Sequence, residues 1–114
     1  PTIINNYKKN TTTNILSNKL TLNVIHTDDI INSIMILLNN DIKSGSYCIK
    51  NKYNIKISSL INNLNKKINK KIKVNYGNKS NLSNFHSNLK ILPKWKPIKN
   101  LEKKITKIFI NEIN

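Results

Sequence analysis

The chain has no arginine, no alanine and no glutamine, and only one cysteine, two glycines and three prolines in 114 residues. Each shortage excludes something. A single cysteine, Cys48, leaves no internal disulfide framework to build, and it reads as a small hydrophobe in a buried strand. One Cys and two His fall short of the usual four-ligand set of a structural zinc site. Two glycines, Gly45 and Gly77, cannot make a glycine-rich phosphate loop of either the Walker or the dinucleotide type. No apolar run approaches the roughly 18 residues of a membrane-spanning helix; the longest covers residues 34–38. The first residue is Pro1, with no Met and no signal-peptide apolar region, so the expectation is a part of a longer protein.

What is present is as narrow as what is missing. Asn, Ile and Lys number 23, 21 and 20, more than half of the chain, and the formal net charge is +15. Such a charge invites a nucleic-acid partner, because lysines that neutralise phosphates drive non-specific binding. Arginine, however, is the side chain that grips guanine and phosphate with a planar fork, and there is none. The lysines are spread along the chain, with one dense run over residues 66–73. The plainer reading is a composition that fills surface positions with Lys and Asn and core positions with Ile. The expectation is therefore against a nucleic-acid partner. The chain is long enough for one domain with a real core.

Hydrophobic periodicity lays out the elements. Ile3, Ile4 and Tyr7 predict a short helix over residues 2–9. Residues 11–14 are polar and β-prone. Leu20, Leu22 and Val24 alternate as in a strand. From Thr27, a natural N-cap, the spacing of Ile30, Ile31, Ile34, Leu37 and Leu38 predicts a helix with that face inward. Asp28 and Asp29 sit in its first turn, where they can cap it and oppose its dipole. Residues 47–49 and 55–57 read as short strands. Ser58 or Ser59 is expected to cap a helix that buries Leu60, Ile61, Leu64 and Ile68. Residues 72–76 read as a strand and 77–87 as a polar loop. A short helical turn is expected over residues 89–92, and Pro93 and Pro97 exclude regular helix around Trp95. Asn100 is expected to cap a last helix, with Leu101, Ile105, Ile108 and Phe109 inward. Trp95 is expected in the core, filling a gap between that helix and the sheet.

Three segments, residues 23–31 (NVIHTDDII), 45–60 (GSYCIKNKYNIKISSL) and 92–103 (LPKWKPIKNLEK), resemble in order and interval the C-terminal part of the extended short-chain dehydrogenase/reductases. This is the NAD-dependent epimerase/dehydratase family, which includes nucleotide-sugar epimerases, dehydratases and ketoreductases. The resemblance spans nearly the whole chain. It implies a small mixed α+β (α/β) domain, the C-terminal portion of a Rossmann-type enzyme, with residues 1–114 forming one substrate-binding domain or fragment. It implies a nucleoside-diphosphate sugar as ligand, NAD or NADP held by a dinucleotide-binding half absent from these residues, a cytoplasmic setting and a homodimeric full-length protein. The substrate-binding positions it points to are His26, Thr27, Lys79, Asn81 and His86. His26 has a second reading, as a structural histidine bonded to nearby backbone.

The chain departs from the family pattern in telling places. Leu22 stands where the family often has a phosphate-gripping Arg. Lys79 is the only cation of the loop 78–84, where the family often has another. Lys94 replaces a Gly, and His86 falls near a common Asp. The Tyr-x-x-x-Lys pair that carries the family's proton transfer is absent: the fourth residues after Tyr7, Tyr47, Tyr53 and Tyr76 are Thr11, Asn51, Ile57 and Ser80. The segment is thus expected to bind substrate and not to catalyse alone. Two other expectations compete with it. One is a small basic nucleic-acid module, which should show exposed aromatics among its lysines; Tyr53 and Tyr76 are near lysines but are placed in strands. The other is a non-catalytic remnant of the family, suggested by the missing arginines.

Overall fold

A computed structural model of the chain describes residues 1–80, 82 and 87–114. The described residues form a small mixed α+β domain of four helices and two small two-stranded sheets. Helix α1 covers Thr2–Lys8 and stops where Asn10 takes a left-handed backbone, φ 57°. Its end is closed by the Asn10 N–H on the Tyr7 carbonyl and the Thr11 N–H on the Asn6 carbonyl, which satisfies carbonyls the helix itself leaves open. Strand β1, Thr13–Ile15, follows, then β2, Thr21–Leu22. Helix α2 is Thr27–Asn39, β3 is Ile55–Lys56 and runs straight into α3, Ile57–Asn65. Strand β4 is Val74–Tyr76, and α4 is Leu101–Ile113.

β1 pairs in parallel with β4, Ile15 opposite Tyr76, and β2 pairs antiparallel with β3, Leu22 opposite Ile55. The Ile57 N–H donates to the Leu20 carbonyl and extends the second ladder to the first residue of α3. The main core lies between these sheets and α1, α3 and α4. Ile15, Ile57, Ile61, Leu64, Ile72 and Phe109 are its buried members. Tyr7 of α1 meets Phe109 of α4 edge to face at 5.8 Å. The Asn65 side chain accepts from the Ile72 N–H at 2.8 Å, so the lysine-rich link after α3 is tied back to the helix end.

Several expectations are corrected. α2 is capped by His26, not Thr27, which is its first residue. α3 begins one residue before Ser58, with no side-chain cap from either serine, and ends before Ile68. Asn100 precedes α4 in a left-handed conformation, φ 61°, and its side chain makes no cap bond. Ile108 points to solvent while Thr106 is buried, its hydroxyl donating to the Glu102 carbonyl. Residues 89–92 form no helical turn; Ile91 makes an isolated parallel bridge to half-buried Cys48.

The largest correction concerns α2. Its buried residues are Asp29 and Ser33, whereas Ile30, Ile31, Ile34, Met35, Leu37 and Leu38 are exposed, Leu38 by 74%. The periodicity marks an apolar face correctly, but the described residues do not cover it. The shape agrees. The extents are 50 × 35 × 19 Å and the radius of gyration is 16.8 Å, against about 13 Å for a compact domain of this length.

Candidate functional site

The parallel pair sets the geometry of the site. Beyond its carboxyl end the chain stays beside β1: the Gly77 N–H donates to the Ile15 carbonyl at 2.7 Å, and the Lys79 N–H to the Leu16 carbonyl at 3.2 Å. Ser17 and Asn78 form an antiparallel bridge just past them. Gly77 is required by this approach, because a Cβ there would lie 2.8 Å from the Leu16 carbonyl oxygen. The two segments enclose a cleft of about 340 Å³ lined by Asn14, Leu16, Asn75, Gly77, Asn78 and Lys79, with Ile15 at its base. It offers amide donors and acceptors, one ammonium and the exposed side chain of Leu16. Sequence reasoning singled out only Lys79 of this group. The alternation over residues 72–76 marks β4, and the β-prone stretch 11–14 overlaps only the first two residues of β1; nothing local says that they pair.

His26 and Thr27 lie elsewhere and do not line that cleft. At the start of α2, the Asp28 N–H donates to His26 Nδ1 at 3.1 Å, and the His26 N–H donates to Asp29 Oδ2 at 3.0 Å. This reciprocal box satisfies two N–H groups that a helix start otherwise leaves open. Nδ1 accepts here, so the proton of the neutral ring is on Nε2. Asp28 Oδ2 also approaches Nδ1, at 3.3 Å, within the same turn. Of the two readings of His26, the backbone-bonded one is what these contacts describe. Thr27 is exposed. Asn81 and His86 lie outside the described residues.

Asp29 is 3% exposed and serves three donors. Besides His26, its Oδ1 accepts from the Ile98 N–H at 2.8 Å, and its main-chain carbonyl accepts from the Trp95 indole at 3.0 Å. Trp95 is buried, as expected, but it is joined to the start of α2 and lies outside the main core cluster. A lone exposed ion pair, Lys104 to Asp28 at 3.4 Å, adds little to this joint.

The segment between α2 and β3 is held by amides. Asn23 Nδ2 donates to the Asn51 carbonyl and to Asn54 Oδ1, both at 2.9 Å; the Asn51 N–H donates to Asn23 Oδ1, and Asn51 Nδ2 donates to the Val24 carbonyl. No pattern in the sequence distinguished these three asparagines from the other twenty.

Among the described residues neither glycine lies in a short strand-to-helix turn: Gly45 follows α2, Gly77 follows β4 with the next described helix starting only at Leu101, and β3 enters α3 with no turn at all. The residues present therefore do not fit a dinucleotide pyrophosphate, which needs a glycine turn at a helix N-terminus. Among the described residues no cluster of three His, Cys, Asp or Glu is placed to hold a metal ion, and no helix is long and apolar enough to cross a membrane. Comparison of the chain with family models, with curated proteins and with solved structures gives no match in any of the three.

Proposed function

We propose that this chain is the nucleotide-sugar-binding portion of an NAD(P)-dependent epimerase, dehydratase or ketoreductase of the extended short-chain dehydrogenase/reductase type. The observation that carries the reading is the position of Lys79. It stands at the carboxyl end of the parallel β1–β4 pair, beside a cleft, and open α/β folds bind ligands outside the carboxyl ends of parallel strands. In this reading the Lys79 ammonium meets the diphosphate, the amides of Asn14, Asn75 and Asn78 orient the nucleoside, and Leu16 lies under its ring. Fixing the nucleotide in this way fixes the sugar for hydride transfer, and positioning of this kind lowers a barrier substantially.

Two further features support the reading. Lys94 adopts a left-handed backbone, φ 64°, at the position where the resemblance calls for glycine, the residue that takes that conformation without strain. The uncovered apolar face of α2 is the kind of surface on which a dinucleotide-binding half would pack. NAD or NADP would belong to that half, and the chemistry to its residues.

The test is a calorimetric titration of UDP-, CDP- and dTDP-sugars into the chain and into Lys79→Ala. One of the three should bind the chain, and the variant should bind it at least tenfold more weakly. Equal affinity in both removes Lys79 from the site and the reading with it.

A further inference from the structure

Tyr53 does not sit in a strand. It lies in a bend before β3, 72% exposed, with Lys52 Nζ 5.3 Å from its ring centroid. Two adjoining clefts, of about 420 and about 530 Å³, meet at Asn51, Lys52 and Pro97, and together they are taken as one groove. Lys50 lines one end of it, and Lys99 and Lys103 line the other; Glu102 is the single carboxylate on its walls. The Asn23–Asn51–Asn54 bonds tie down the backbone that carries Lys50, Lys52 and Tyr53, and Lys50 Nζ rests on the Ser87 carbonyl at 3.4 Å.

We infer that this groove binds single-stranded nucleic acid, with a base stacked on Tyr53 and the flanking phosphates on Lys50, Lys52, Lys99 and Lys103. An exposed aromatic ring among lysines is the arrangement that holds unpaired bases, because every base offers a face to stack and a backbone to neutralise. A duplex hides those faces. The absence of arginine does not count against it, since stacking and point charges need no bidentate readout. Lysines at both ends of the groove call for more than one phosphate, which a strand supplies and a mononucleotide does not. The groove shares no residue with the Lys79 cleft, so this inference and the proposed function stand or fall separately.

The experiment is fluorescence anisotropy with a labelled oligo-dT of about twelve nucleotides, the length range that one such groove engages. Binding should weaken steeply from about 50 to about 200 mM salt. Tyr53→Ala should weaken it on the order of tenfold and Tyr53→Phe should not. Lys99→Gln with Lys103→Gln should flatten the salt dependence more than Lys70→Gln with Lys71→Gln outside the groove. The inference is overturned if Tyr53→Ala binds like the parent or if the two lysine pairs have equal effects. It is equally overturned if a duplex of the same length binds as tightly, or if dTMP alone binds as well as the strand.

Discussion

The Trp95 indole donates to the main-chain carbonyl of Asp29 at 3.0 Å, across 66 positions of sequence. With the Ile98 N–H on the Asp29 carboxylate, this bond fastens the proline-bracketed segment to the first turn of α2. Trp95 is 4% exposed and Asp29 3%, so neither partner can turn to water when the other is lost. Trp95→Phe should therefore cost about 1–3 kcal/mol, the range for leaving a buried polar group unpaired. Asp29→Ala, which strands the His26 and Ile98 N–H groups together, should cost more. Urea unfolding followed by far-ultraviolet circular dichroism measures both.

Lys94 holds φ 64°, a conformation that costs a residue with a Cβ about 1 kcal/mol or more and costs glycine little. Its ammonium meets Asn40 Oδ1 at 2.6 Å on the surface, a contact of small worth. Lys94→Gly is thus expected to stabilise the chain by about 0.5–1 kcal/mol, seen as a higher melting temperature. A lower one would mean that the Asn40 contact outweighs the backbone strain.

The two kinds of apolar residue on the helices should respond in opposite ways. Leu64 of α3 is 2% exposed, and Leu64→Ala should cost about 2–5 kcal/mol. Leu38 of α2 is 74% exposed, and Leu38→Lys should leave stability within about 0.5 kcal/mol. The same variant should reduce binding of a hydrophobic dye, because it interrupts the exposed face.

Burial raises the Tyr76 phenol above the ordinary tyrosine value of 10.0. In the unfolded chain that proton leaves first, so above pH 10.0 the native state binds more protons and stability falls as pH rises. Below that value both states keep the proton and Tyr76 contributes no slope. Tyr76→Phe should make the alkaline decline shallower, and spectrophotometric titration should show a late-ionising tyrosine in the parent that is missing from the variant.

The local elements were legible in the sequence to the extent that periodicity defines them. α1, α2 and α4 start and stop near the expected residues, and the strands at 21–22, 55–56 and 74–76 fall inside the expected ones. Caps were less legible, because they depend on which side chain reaches an N–H: His26 Nδ1 does so ahead of Thr27, and the Asn100 side chain makes no such bond. Which face of α2 turns inward was not legible. Its apolar spacing is strong, yet the inward side is set by Asp29, whose carboxylate and carbonyl are claimed by Ile98 and Trp95 nearly seventy residues away. The candidate site was half legible. Lys79 came from a family pattern, while Asn14, Leu16 and Asn75 reach it only through the pairing of β1 with β4, a contact across about 60 residues that no window of sequence contains.

Gly77→Ala is the sharpest steric probe of that cleft. The added Cβ meets the Leu16 carbonyl at 2.8 Å, backbone that cannot swing aside, so the loop must move off β1. Amide hydrogen exchange at Lys79, whose N–H is held by Leu16 at 3.2 Å, should speed up markedly while that of Leu64 in the core changes little.

The central claim is that a nucleoside diphosphate sits at the carboxyl end of the β1–β4 pair. Its most direct test is a two-dimensional NMR titration of the ¹⁵N-labelled chain with UDP, CDP and dTDP, run beside Lys79→Ala. The account predicts amide shifts concentrated at residues 14–16 and 75–79 with one of the three nucleotides, and their loss in the variant. Shifts confined to other surfaces, or shifts at these residues that survive Lys79→Ala unchanged, would contradict it.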